Sequence, residues 1–101
     1  MNILIIEDCR IMTFLWKLQA KEAGHITTCC EYKHEALELL RSNVYDLIIL
    51  DNNLNGELGL EIAKDIKHIT KTKIILSSAF QSYRIFWIII KIYIMQVIKT
   101  H

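Results

Sequence analysis

An α/β domain built on a doubly wound parallel sheet is the fold this sequence predicts, and three observations predict it. Two short uninterrupted apolar runs, Ile3 to Ile6 and Leu47 to Leu50, have the pattern of strands covered on both faces. Segments with an apolar residue every third or fourth position separate them from two further strand-like stretches. The resulting order, β-α-β-α-β-α-β within residues 1–80, calls for parallel strands joined by right-handed helical crossovers.

Each element has its own warrant. Ile3 to Ile6 makes the first strand and runs straight into Glu7-Asp8. The segment after it is helical, with Ile11, Phe14, Leu15 and Leu18 predicted on the buried face. Gly24 ends it, since glycine accepts the left-handed backbone of a helix terminus. "HITTCC" is β-branched and predicts the second strand. "EYKHEALELLR" predicts a helix with Ala36, Leu37 and Leu40 inward, and "YDLIIL" the third strand. After a loop containing Asn and Gly, "LEIAKDIKHI" places Ile62, Ala63, Ile66 and Ile69 on one stripe. "KIIL" is the fourth strand, ending at Ser77-Ser78. Beyond Phe80, "RIFWIIIKIYIMQVI" keeps neither period and reads either as strand or as a helix followed by a strand. It is shorter than the roughly 20 apolar residues of a membrane helix and contains Lys91 and Gln96, so no membrane span is expected.

The totals agree. A chain of 101 residues predicts one domain, 1–101, and 52% hydrophobic with 23% charged residues supports a packed core. A formal net charge of +1 offers no bulk attraction for nucleic acid. Cys9, Cys29 and Cys30 form no disulfide framework and no CxxC motif, which fits a reducing, cytoplasmic setting. "MNILIIED" lacks the basic start of a signal peptide. His25, His34, His68 and His101 show no ligand spacing and read as surface residues. Composition breaks once: all eleven acids lie in residues 1–80, while residues 81–101 hold three basic residues and seven isoleucines.

In an open parallel sheet the strands end at one edge, where loops form the ligand crevice. The residues predicted at those ends are Glu7, Asp8, Asp51, Ser77 and Ser78. Three carboxylates brought together repel and titrate as a group. A divalent cation relieves that repulsion, and oxygen ligands suit Mg²⁺ or Mn²⁺. A strand-end carboxylate such as Asp51 can also attack phosphorus to give an aspartyl phosphate. The plainer reading stays open: Asp51 as a turn residue, and Glu7-Asp8 as charges favoured at a helix start.

The pieces "ILIIED", "YDLIILDNNLNGELGLE" and "KIILSSA", with "HEALELL" ahead of the third strand, resemble the receiver domain of two-component response regulators. The resemblance runs from Met1 to about Phe80. It implies a flavodoxin-like fold, with Asp51 as phosphoacceptor and Glu7 and Asp8 as the acidic pair, Asp8 binding the metal directly. It implies that Asn53 offers the metal its backbone carbonyl, and that Ser78 is the switch hydroxyl, with Ser77 the fallback. Gly59 matches the family glycine. Asn55 stands where proline is usual and Leu58 where Asp or Asn is usual, changes expected to loosen the loop without touching the chemistry.

The same resemblance implies a phosphate-contacting lysine at the end of a fifth strand, a place Lys99 in "VIKT" would fill. The usual Gly-Ala before that strand is missing, Gln96 replaces an aromatic residue, and the final helix is missing. The tail 81–101 is therefore expected to be truncated, frame-altered or divergent. Apolar surface uncovered there would invite a dimer or swapped oligomer. The expected function is Mg²⁺-dependent acceptance of a phosphoryl group on Asp51 from a sensor histidine kinase or histidine phosphotransfer protein. No turnover of a separate substrate is expected. The alternative is a degenerate, unphosphorylated interaction module. A haloacid-dehalogenase-type phosphatase would want a second Asp where Asn53 stands.

Overall fold

The computed structural model describes residues 1–77; residues 78–101 lie outside that range. The elements in order are β1 (Asn2–Ile6), α1 (Arg10–Glu22), β2 (Ile26–Cys30), α2 (Lys33–Ser42), β3 (Leu47–Asp51), β4 (Asn53–Leu54), β5 (Glu57–Leu58), α3 (Gly59–Lys67) and β6 (Ile74–Ser77). β1, β2, β3 and β6 form one parallel sheet in the order β2-β1-β3-β6. Strand order that reverses direction about β1 is the doubly wound, flavodoxin-like arrangement.

The continuous apolar runs become the two inner strands, because only there are both faces of a strand covered. Ile3 to Ile6 and Leu47 to Leu50 are each fully buried. Alternation along the strands divides them between two cores. Ile3, Ile5, Leu47 and Ile49 pack against Trp16 and Ala20 of α1. Leu4, Ile6, Ile48 and Leu50 pack against Ala36 and Leu40 of α2 and Ile62, Ala63 and Ile66 of α3. The predicted stripes of α2 and α3 are therefore the ones used. Gly24 ends α1 with φ of 83° as expected.

Two expectations need correction. The face of α1 is not the one predicted: Ile11 is 72% exposed, Phe14 61% and Leu18 46%. Met12, Trp16 and Ala20 turn inward instead, four residues apart, and Leu15 is half-buried. The helix carries two apolar stripes, and only one can meet the sheet. The stripe with tryptophan removes the larger apolar area from water. The loop after β3 is also more ordered than expected. β4 and β5 are a hairpin closed by Asn55-Gly56, with φ of 52° and 85°. Positive φ at both turn residues is what a two-residue hairpin turn needs, and Asn-Gly supplies it at least cost.

Candidate functional site

The site grows from the ends of β1 and β3. Glu7 extends the β1–β2 pairing by one residue, its N–H donating to the Cys30 carbonyl at 3.0 Å. That keeps its side chain 1% exposed. Glu7 Oε1 accepts the Cys9 N–H at 2.9 Å. Glu7 Oε2 is buried and has no hydrogen-bond donor among the described residues. Asp8, one residue on, is exposed, and its Oδ2 accepts the Asn55 N–H at 3.0 Å. Asp51 closes β3 at 5% exposure, opposite Ser77 in register. Its Oδ1 accepts the Asn53 N–H at 3.3 Å.

The backbone behind Asp51 is held on both sides. The Asn52 N–H donates to the Ser77 carbonyl, and the Gly59 N–H donates to the Asn52 carbonyl at 2.7 Å. A β-carbon on Gly59 would overlap the Asp51 carbonyl oxygen, so α3 can start this close only with glycine there. Oxygen atoms of Glu7, Asp8 and Asp51 all lie within 4.8 Å of one another.

Such crowding sets the charge state. Burial pushes the Glu7 carboxyl up to about 8, the Cys9 N–H opposing and the neighbouring Asp51 adding to the rise. Protonated, Glu7 can donate towards Asp51. Burial also raises Asp51, against the hydrogen bonds from Glu7 and the Asn53 N–H. Burial acts to raise Asp8 too, but the Asn55 N–H and hydrogen bonding with Glu7 and Asp51 outweigh it, leaving Asp8 below the usual range. An all-oxygen trio with one buried oxygen lacking a donor fits a hard divalent cation, which would replace the proton on Glu7.

A stability prediction follows from the sign of the Glu7 shift. A carboxyl raised from 4.5 to about 8 on folding favours the fold below its unfolded value and withdraws that support as pH rises through 8. Asp51 acts in the same sense. Asp8 acts oppositely, its contribution falling away at acid pH. Without divalent cations, the protein is expected to lose about 1–3 kcal/mol between about pH 5 and pH 8. Glu7→Gln flattens that dependence. Urea melts in chelator across the pH range measure it, and an unchanged slope in Glu7→Gln would refute the assignment.

Of the residues singled out from sequence, Glu7, Asp8 and Asp51 converge. Asn53 lies beside them with its N–H on Asp51. Ser77 is buried against the end of β3. Ser78 and Lys99 fall outside the described residues, as do Gln96 and His101. His34 and His68 are exposed, whereas His25 is half-buried, its Nδ1 2.8 Å from the Met1 amine.

Asn55, expected to loosen the loop, instead ties it to the site. Its N–H bonds Asp8, and its Nδ2 donates to the Glu31 carbonyl at 2.7 Å. Proline has no N–H to give and cannot reach a φ of 52°. The Asn-Gly pair was the sequence signal for this turn. Lys33 was also missed: its ammonium lies 2.5 Å from Asp65 and 3.2 Å from Glu57, tying α2 to α3 and β5.

A doubly wound sheet with an acidic trio at the carboxyl ends of its two central strands is the arrangement expected of a receiver domain. The family model for the response regulator receiver domain matches residues 3–99, and the chain belongs to that family. The match extends past Phe80, where the resemblance read from sequence stops. Among solved structures, one chain in the crystal structure of a complex between histidine kinase ThkA and response regulator protein TrrA is 37% identical. Its TM-score is 0.72, covering 82% of this chain and 72% of that one. MaeR response regulator bound to beryllium trifluoride is 26% identical, with TM-score 0.71 over 84% and 72% of the two chains. A CheY-like receiver domain from Methylobacillus flagellatus, 23% identical, matches in fold with TM-score 0.73 over 78% and 70%. The chain spans 54% of one fused structure it resembles. No curated protein matches it. Among the described residues, no helix is long and apolar enough to cross a membrane.

Proposed function

We propose that residues 1–101 form a single receiver domain that accepts a phosphoryl group on Asp51 from the phosphohistidine of a sensor kinase or histidine phosphotransfer protein. The observation that carries this reading is the carboxylate trio at the rim, with the buried Glu7 Oε2 lacking a donor. Glu7, Asp8, Asp51 and the Asn53 carbonyl would hold Mg²⁺ or Mn²⁺. Bound there, the cation would offset charge on the phosphoryl oxygens during transfer. An Asp51 oxygen attacks phosphorus, the P–N bond breaks, and its electron pair stays on the imidazole nitrogen, which takes a proton. Ser78, or Ser77 in its place, supplies the hydroxyl that turns towards the new phosphoryl group, and Lys99 the ammonium.

The outward stripe of α1, Ile11, Phe14 and Leu18, begins three residues past Asp8 and is the apolar face offered to the phosphodonor protein. The domain switches protein contacts in the cytoplasm and turns over no substrate of its own. Incubation with acetyl phosphate and Mg²⁺ is expected to add one phosphoryl group by intact mass, and chelator to prevent it. A protein that stays unlabelled with Mg²⁺ present would overturn this reading and leave the unphosphorylated interaction module.

A further inference from the structure

The β4–β5 hairpin reaches back over the acid site through one residue. Asn55 sits at the first turn position with φ of 52°, and its N–H donates to Asp8 Oδ2 at 3.0 Å. Two anchors fix the direction of that N–H. Asn55 Nδ2 donates to the Glu31 carbonyl at 2.7 Å, and Glu57 at the other side of the turn lies 3.2 Å from the Lys33 ammonium. Glu31 itself takes the Arg10 Nε–H at 3.0 Å. Asp8 needs such a clamp more than its neighbours do. Glu7 and Asp51 are buried and held by packing, whereas Asp8 is exposed and would otherwise sample several rotamers.

We propose that Asn55 is a positioning residue for Asp8: its backbone N–H holds Oδ2 and leaves Oδ1 turned to a divalent cation, while its side chain locks the turn onto the Glu31 carbonyl. This rests on the receiver reading of the same site. An exposed carboxylate pre-set in one rotamer loses less freedom on binding a metal. Hydrogen-bond partners behind a metal ligand typically change affinity by about 10–100-fold when removed. Glycine would keep the N–H and the positive φ but drop the Glu31 bond. Proline, the residue usual here in the family, removes the N–H and forbids the turn.

Calorimetric Mg²⁺ titration of the full chain tests this. Asn55→Gly is expected to bind about three- to tenfold more weakly than wild type, and Asn55→Pro about 10–100-fold more weakly. A purely structural role would instead lower urea stability at unchanged Mg²⁺ affinity. The Asn55 amide resonance of the wild type is expected to shift with Mg²⁺ along the calorimetric isotherm. Wild type that takes up no Mg²⁺ overturns the receiver reading together with this inference. Wild type that binds, with both variants within twofold of it, overturns the inference alone. Should Asn55→Pro not fold, Asn55→Gly and the amide resonance decide: unchanged affinity or an unmoved resonance overturns it.

Discussion

Asp51→Asn is expected to abolish phosphoryl labelling while leaving the fold intact. The amide is nearly the same shape as the carboxylate, so burial at the end of β3 is preserved. It is not a nucleophile towards phosphorus at neutral pH. It also takes one negative charge out of a cluster whose oxygens lie within 4.8 Å. Less repulsion should let Glu7 ionise at lower pH and should raise metal-free stability by about 1 kcal/mol. Mg²⁺ affinity should fall at least tenfold with the loss of an anionic ligand. Intact mass after acetyl phosphate treatment, urea melts and calorimetry read the three effects separately. Label on Asp51→Asn equal to wild type would place the acceptor elsewhere.

Gly59→Ala, at the start of α3, should be a strongly damaging conservative change, at about 2–4 kcal/mol. The added carbon would overlap the Asp51 carbonyl oxygen and lie 3.0 Å from the Asn52 Cα. Both neighbours are backbone, held by the Asn52–Ser77 and Gly59–Asn52 hydrogen bonds, so neither can swing aside. The helix start must back away, and Asp51 moves with it. Stability and Mg²⁺ affinity are therefore expected to drop together. Gly56→Ala is the control: φ is 85° but nothing lies within 4 Å, so only backbone strain of about 1 kcal/mol applies. Urea melts of the two variants compare them directly, and equal losses would remove steric contact as the cause.

Most of the sheet was legible because inner strands have no choice of face. Ile3 to Ile6 and Leu47 to Leu50 are apolar throughout, so no register error could hide them. α2 and α3 were legible for a related reason, each carrying a single apolar stripe. α1 was not, since periodicity alone cannot rank Ile11, Phe14 and Leu18 against Met12, Trp16 and Ala20. Packing volume, which belongs to the folded state, made that choice. The acids Glu7, Asp8 and Asp51 could be assigned to one rim from topology alone. Their unequal surroundings could not, because Glu7 at 1% exposure and the exposed Asp8 differ by a single step along an extended chain. The Asn55 contact was not legible because it is made by a backbone N–H, which every residue but proline carries.

Asp51 ends a strand in which every residue is buried, paired with β1 on one side and β6 on the other. Amide protons along such a strand are expected to exchange with solvent only in the largest openings, and those of the hairpin and helix surfaces more readily. The Asp51 carboxyl is thus fastened to a buried, doubly paired strand, among the described residues a place with little freedom to open. If Asp51 takes up the proposed phosphoryl group, the response is expected in the surrounding loops and helix surfaces, with the strand itself staying in place.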